Sequence, residues 1–235
     1  GGEKAELSTN IQGGKYTLEL EQTRILVYLG EPLPYAVAQE IYLDMIPAEG
    51  SYINAGIWTI RLEPVVTVTG QYYLYLPAGS GIGESTGFYR ATPQVTLTIP
   101  STAAKVITVG AYDQVYDTYA DFSGRGYADS TRTIGVTAAG LTKPDLVAPG
   151  VNIQAPNVYG SFTPVTGTSF AAPIVSGAAA LLMEWGIVRG NDPFLYGEKV
   201  KAYLRRGARE LPGFGKYPNR EVGYGRLCLE RSLPD

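Results

Sequence analysis

The hydrophobic pattern changes period near residue 100, and that change divides what the chain can fold into. Between Gly13 and Ile99 apolar and polar residues alternate in short runs, as in Tyr16-Thr-Leu-Glu-Leu20. Arg24–Tyr28, Glu40–Asp44, Gly56–Leu62, Thr67–Leu76 and Val95–Ile99 are further runs of this kind, separated by clusters of Gly, Pro and Asn. Period-two runs bounded by turn formers predict strands, and several at this spacing predict a β-sandwich or jelly roll. From Ser101 onward strands alternate with helices. Val106-Ile-Thr-Val109 suits a buried parallel strand. Asp145–Gly150 is a tight segment that leads into an extended Val151-Asn-Ile153. A helix is predicted from Ser169 to about Trp185. Its middle, Ser176-Gly-Ala-Ala-Ala-Leu-Leu182, is small on several faces, which suits a helix surrounded by protein. A second helix is predicted from Pro193 to Arg206, capped by Asn191 or Asp192 and stopped by Gly207.

Composition narrows the chemistry. The 235 residues are 45% hydrophobic, enough for one large domain or two small ones. The net charge is −3 with no basic stripe, so nucleic acid is not an expected partner. The longest apolar stretch, near Ala171 to Trp185, is interrupted by Pro173, Ser176, Gly177 and Glu184, and no membrane span is expected. The single Cys228 allows no intrachain disulfide and leaves the compartment open. The opening Gly-Gly-Glu-Lys reads as an expression boundary or a processed start. The most informative count is zero: there is no histidine. The chain therefore supplies neither an imidazole base nor a conventional zinc, copper or haem site. No cofactor is expected. Asp113, Asp117, Asp121 and Asp129 lie near turns, but their spacing matches no calcium loop.

The chemistry concentrates in Gly167-Thr-Ser-Phe-Ala-Ala-Pro173. A serine hydroxyl becomes a nucleophile when a base removes its proton. At the start of a buried helix, Ser169 would sit where unpaired N–H groups and the positive end of the dipole face a developing oxyanion. Gly167 permits a tight approach to that turn, and Thr168 is expected to place its hydroxyl near the same oxyanion. Pro173 is expected in the first turn, where its missing N–H is not needed. Taken alone, Ser169 fits a simple helix N-cap equally well. Ala171 stands where an α/β-hydrolase elbow would have its second glycine.

Four blocks in order favour the nucleophile. Gly167–Pro173 running into Val175-Ser-Gly177 resembles the nucleophile motif of the subtilisin-like serine proteases. Lys143-Pro-Asp-Leu-Val-Ala-Pro-Gly-Val-Asn-Ile153 resembles that family's loop before the nucleophile. Pro100-Ser-Thr-Ala103 with Val106–Ala111, and Phe122-Ser-Gly124, resemble the strand and turn that follow its substrate-binding region. Gly223-Tyr-Gly-Arg-Leu227 resembles the closing segment of its catalytic domain.

The resemblance implies the C-terminal part of a parallel-sheet, three-layer α/β domain, with Ser169 as nucleophile and Thr168 and Gly167 in support. It also implies a protein or peptide substrate. The triad Asp and His and the oxyanion Asn belong to an upstream part that this sequence does not contain. Asp145 falls in a structural loop of the family. The implied organisation is a linker at 1–12, an inserted all-β module (jelly roll or β-sandwich) at 13–99, and catalytic domain at 100–235.

Gly56-Ile-Trp-Thr-Ile-Arg61, Tyr72–Pro77, Met183-Glu-Trp-Gly-Ile187 and Tyr217-Pro-Asn-Arg220 resemble the clostridial germination-specific subtilases. In that group the proteases activate a cortex-degrading hydrolase zymogen, and some members are pseudoproteases. A secreted, cell-envelope or spore-associated location would follow.

The remaining residues read structurally. Trp58 suits core packing, and Tyr72, Tyr73 and Tyr75 suit a half-buried strand rather than a carbohydrate face. Cys228 reads as an inert core thiol. Lys201, Arg205, Arg206 and Arg209 read as a solvated helix face, with Arg205 or Arg206 able to pair with nearby acids.

Overall fold

The computed structural model describes residues 2–8, 13–31, 39–50, 52–64, 70, 72–77, 82–83, 85–126 and 142–234. It divides into two compact units, one running to Leu74 and one beginning at Tyr75.

The first unit is built on an antiparallel sheet of β1 (Gly14–Glu19), β2 (Thr23–Leu29) and β3 (Ile41–Pro47), in that spatial order. β2 is central and its alternation buries Thr23, Val27 and Leu29. Opposite residues form a row across the sheet: Lys15 lies over Tyr28 at 5.5 Å, and the Tyr28 and Tyr42 rings are 5.8 Å apart. The expected strands at 56–62 and 95–99 do not form. Ile57, Ile60 and Leu62 are exposed, so the alternation there has no face to bury. In the second unit, Val95 takes φ 57° and only a few bonds link residues 95–97 to Gly126 and Arg125. Of the run 67–76, residues 67–69 and 71 lie outside the described residues, and the remainder forms no strand.

The second unit is the α/β part. β4 (Val109–Asp113) pairs in parallel with β6 (Leu146–Pro149) and, at its end, antiparallel with β5 (Thr118–Tyr119). β4 starts three residues later than the apolar run Val106–Val109 suggests. Behind β6, the segment 223–227 continues the pairing: the Tyr224 N–H donates to Asp145, Val147 to Gly225 and Leu227 to Val147. Gly223, at φ 58°, is obligatory there because a Cβ would strike the carbonyls of Pro144 and Asp145.

β7 (Ile153–Pro156) and β8 (Phe162–Val165) form a hairpin that leads into α1 (Thr168–Met183). Ala171, Val175, Ala178 and Leu182 recur at helical spacing and are buried in one cluster with Ala111, Leu146 and Ala148. Burying a leucine such as Leu182 contributes roughly 2 kcal/mol. A π-helical turn, Glu184–Val188, continues α1, and Thr168–Val188 is long and apolar enough to cross a membrane by length and composition.

α2 (Gly197–Gly207) starts later than expected, at an N-cap of Tyr196, and α3 (Leu229–Ser232) follows. Asp192 does not cap α2. Its carboxylate instead accepts bonds from Lys199 Nζ (2.6 Å) and the Tyr203 hydroxyl (2.8 Å), first Lys199 and then Tyr203 holding it below the usual carboxylate range. Gly207 is helical rather than a stop, and its missing side chain is what lets Ser232 of α3 approach.

Candidate active site

The site is built at the N-terminus of α1. The Gly167 N–H donates to the Gly150 carbonyl at 2.8 Å, and the Gly150 N–H donates to Tyr112 of β4 at 3.0 Å. A Cβ on Gly150 would sit 2.6 Å from Ala111 Cβ and 3.1 Å from the Gly167 carbonyl, so glycine is what allows the Pro149-Gly150 turn under the helix start. Asn152, at φ 51°, closes the same corner by donating its N–H to the Thr166 hydroxyl oxygen at 3.0 Å. Gly167 is the N-cap at φ 153°, with no side-chain cap bond.

Thr168 and Ser169 are then the first two helical residues. Ser169 is exposed, and its N–H has no carbonyl four residues back within the helix. Both residues line an open cleft of about 790 Å³ with Ala172, the 93–101 loop, the approach to β4 and residues 121–124. Gly167 stands behind them. Pro173 is not in the first turn but is the sixth helical residue. The N–H it lacks is the one that would reach the Ser169 carbonyl, so the turn carrying Ser169 is not tied to the body of the helix by that bond.

The wall opposite α1 is positioned by Ser123. Its Oγ accepts the Ala111 N–H at 3.0 Å, and its carbonyl accepts the Tyr119 hydroxyl at 2.5 Å. Phe122 is half exposed on the cleft and Asp121 lies beside it.

Behind that wall lies a charge cluster that the sequence does not announce. Asp145 is fully buried, with Lys143 Nζ at 2.9 Å from Oδ2, Lys201 Nζ at 3.1 Å from Oδ1, and Arg205 Nε at 2.8 Å from Oδ1. The Thr108 N–H also donates to it at 2.6 Å. Burial opposes ionisation here, but Lys143, the Thr108 amide and Arg205 outweigh it and hold the carboxyl below its ordinary range.

Lys201 Nζ also donates to the carbonyls of Ala104 and Val106, and Lys143 Nζ to Val106. Burial pushes Lys201 down to about 8 against the pull of Asp145. Lys201 and Arg205 are therefore not a solvated face. They sit one turn apart on the buried side of α2, while Arg205 also stacks on Tyr224 at 4.9 Å. Their i, i+4 spacing was the available signal. The Asp145 carboxylate is thus engaged by three cations and a backbone amide.

The other sequence candidates are dispersed. The Asp113 carboxylate accepts the Val115 N–H at 2.8 Å, Asp117 pairs with Arg226, and Asp129 lies outside the described residues. Among the described residues no three carboxylate, Cys or His side chains converge as metal ligands. Cys228 is a free, partly buried thiol at the N-cap of α3. Trp58 is 39% exposed, its Nε1 donating to the Asn54 carbonyl, rather than in a core.

Comparison with known proteins agrees with this geometry. A model described as the subtilase family matches residues 81–225. Serine protease AprX of Bacillus subtilis is 36% identical over 159 residues, covering 59% of this chain and 32% of AprX. The human membrane-bound transcription factor site-1 protease is 34% identical over 137 residues, covering 58% of this chain and 12% of that protein. Among solved structures, the Clostridium perfringens CspB protease superposes with a TM-score of 0.71 at 33% identity, over 94% of this chain and 44% of that one. The chain spans a third or less of these curated relatives and under half of the CspB structure. The α/β unit has a subtilisin-like fold, and with the family model matched over more than half its length the chain belongs to the subtilase family of serine proteases.

Proposed function

We propose that this chain carries the nucleophile of a subtilisin-type serine endopeptidase and that Ser169 is that nucleophile. One observation carries the reading: an exposed serine at the second position of a core helix, on the rim of a cleft. In the proposed reaction Ser169 Oγ attacks the peptide carbonyl carbon while a base takes its proton. The carbonyl electron pair moves to oxygen, and the Ser169 N–H, with the Thr168 hydroxyl beside it, donates to that oxyanion. Collapse expels the amine, which receives the proton from the base. Water then hydrolyses the acyl-enzyme by the same steps in reverse roles.

The chain contains no histidine, so the base, its Asp partner and a second oxyanion donor come from an upstream part of the same protease. This chain alone is therefore expected to be inactive. A fluorophosphonate probe tests both halves of the reading. Labelling at Ser169 is expected only when the upstream part is present. Rapid stoichiometric labelling of the isolated chain would contradict the incompleteness, and an unlabelled Ser169 in the completed protease would contradict the assignment of the nucleophile.

The division into a linker at 1–12, an inserted β module at 13–99 and catalytic sequence at 100–235 belongs to the same proposal. The module would tether the protease to substrate or to the cell envelope, and its deletion should lower affinity for the tethered target. The absence of histidine also favours a second reading, a pseudoprotease that binds a partner through the subtilase fold. An upstream sequence without the Asp and His motifs would select it.

A further inference from the structure

One side of the cleft is held in place by buried charge. Ser101, Val106, Ile107, Thr108 and Val109 line the cleft that Ser169 opens onto, and residues 101–108 form neither strand nor helix. Two ammonium groups fix this stretch. Lys201 Nζ lies 2.7 Å from the Ala104 carbonyl, 2.8 Å from the Val106 carbonyl and 3.1 Å from Asp145 Oδ1. Lys143 Nζ lies 2.7 Å from the same Val106 carbonyl, 2.9 Å from the Thr108 hydroxyl and 2.9 Å from Asp145 Oδ2. An ammonium group has three N–H donors, so both lysines are saturated, and the Val106 carbonyl accepts from each. The Thr108 hydroxyl passes the restraint on by donating to the Ser101 carbonyl, and the Thr108 N–H donates to Asp145. Main-chain groups at 101, 104, 106 and 108 therefore hang on Lys143, Asp145 and Lys201.

The charge balance shows what the lysines add. Asp145 and Arg205 alone would make a neutral pair. Lys143 and Lys201 bring surplus positive charge into a buried site, which is unfavourable for stability. Apart from Asp145, every acceptor they reach belongs to the 101–109 side of the cleft.

We propose that Lys201 and Lys143 are positioning residues for the substrate: they hold the 101–109 side of the cleft in its binding shape, and loss of the Lys201 proton releases that side and weakens peptide binding while the fold stays intact. This rests on the protease reading, because it takes the cleft beside Ser169 as the seat of a peptide. A neutral Lys201 amine has two N–H groups for three acceptors and turns its lone pair on the third. The bonds that remain lose their charge assistance, which about halves them. Burial favours that proton loss, Asp145 opposes it, and Lys143 and Arg205 favour it again, which brings Lys201 from 10.5 down to about 8. The exposed Lys105 and Glu198, 3.8 Å apart, stand on the same two segments, and Arg205 is itself stacked on Tyr224.

Linkage gives this arrangement a signature. The folded state holds Lys201 below its unfolded value, so between about 8 and 10.5 the unfolded chain binds the extra proton and the Lys201 contribution to stability rises with pH. Substrate affinity falls over the same range. A side chain that only stabilised the fold would move both in the same direction.

In the protease that carries this chain, KM for a peptide substrate should rise about tenfold as pH passes through about 8, the loss expected for one charge-assisted bond. Lys201→Met should show the raised KM at every pH and no midpoint near 8. Labelling of Ser169 by a small alkyl fluorophosphonate, which needs the nucleophile but not an extended peptide, should keep its wild-type rate in Lys201→Met. Lys216→Met, an exposed control, should change neither. A measurement on the unsubstituted chain needs no activity: the Ala104 and Val106 carbonyl carbon resonances should titrate with a midpoint near 8, and the melting temperature should not fall between about pH 7 and 9.

Carbonyl resonances that stay still through that range overturn the proposal, as does a KM that is flat with pH and unchanged in Lys201→Met. A Lys201→Met protein whose labelling rate and melting temperature fall together with its affinity also overturns it, because Lys201 is then structural only. Titrating carbonyls with no labelling of Ser169 at any pH overturn the protease reading and leave the anchoring of the cleft standing. Labelling with silent carbonyls does the reverse.

Discussion

The two units of this chain solve the problem of a small core differently. In the sheet up to Leu74, stability comes from cross-strand contacts such as Lys15–Tyr28–Tyr42 and the exposed Arg24–Glu19 pair, with Thr23, Val27 and Leu29 buried along the central strand. From Tyr75 onward, Ala111 of β4, Leu146 and Ala148 of β6, and Ala171 and Leu182 of α1 are fully enclosed, and a buried carboxylate ties three cations to the back of the cleft wall. Exposed rows of side chains act nearly independently, whereas an enclosed charge cluster acts as a unit. The first unit should therefore tolerate single substitutions, and the second should not.

The comparison breaks most visibly at Ser169. In the protease completed by its upstream part, Ser169→Ala is expected to lower kcat on the order of 10⁶-fold. Its exposed hydroxyl bonds nothing in the core, so the melting temperature should move by no more than about 1 °C. Steady-state kinetics and thermal melts on the same sample measure both.

Asp145→Asn comes next and has the reverse signature, because it acts on stability. It leaves Lys143, Lys201 and Arg205 enclosed without their counter-charge. Breaking a buried ion cluster in this way costs about 3–5 kcal/mol, a fall of roughly 10 °C in melting temperature for a chain of this size. The same group makes the α/β unit acid-labile. The folded state holds the Asp145 carboxyl below its ordinary 3.8, so its contribution is complete above that value and is lost as pH falls through the lower folded value. Urea melts between pH 3 and 6 should show that slope in the wild type and a flatter one in Asp145→Asn.

A smaller effect is expected where the core is apolar rather than ionic. Leu182 is fully buried between α1 and its neighbours, and Leu182→Ala should cost about 3 kcal/mol, read from the urea midpoint. The smallest belongs to the sheet. Tyr42→Ala removes one cross-strand ring contact and should cost about 1 kcal/mol. A Tyr42 effect as large as that of Leu182 would erase the proposed distinction between the units.

Much of the second unit was legible in the chain. The blocks at 143–153, 167–177 and 223–227 are local, and each encodes a local requirement. Gly150 and Gly223 admit a passing backbone, and Gly167 opens a helix. The 171, 175, 178, 182 spacing selects the buried side of α1. The first three strands were legible for the same reason, since alternation is a property of neighbouring residues.

The misreadings share a cause as well. Gly56–Leu62 alternates like a strand, but alternation becomes a strand only where a partner edge and a face to bury exist. Lys201 and Arg205 read as surface residues because charge is normally solvated. Only the fold brings Asp145, sixty residues before Arg205, against them. Asp192 reads as a cap by proximity, yet Lys199 and Tyr203 one to two turns into α2 bind it more directly.

By itself the sequence determined the chemical identity of the nucleophile turn, the helix behind it, and the absence of any imidazole to activate it. The tertiary structure decided which side of that helix is covered, where the chain's charges are buried, and that Ser169 opens onto a cleft. The reason is range: capping, turn geometry and periodicity are set by residues within a few positions of one another. Burial and ion pairing depend on segments the chain brings together from far apart.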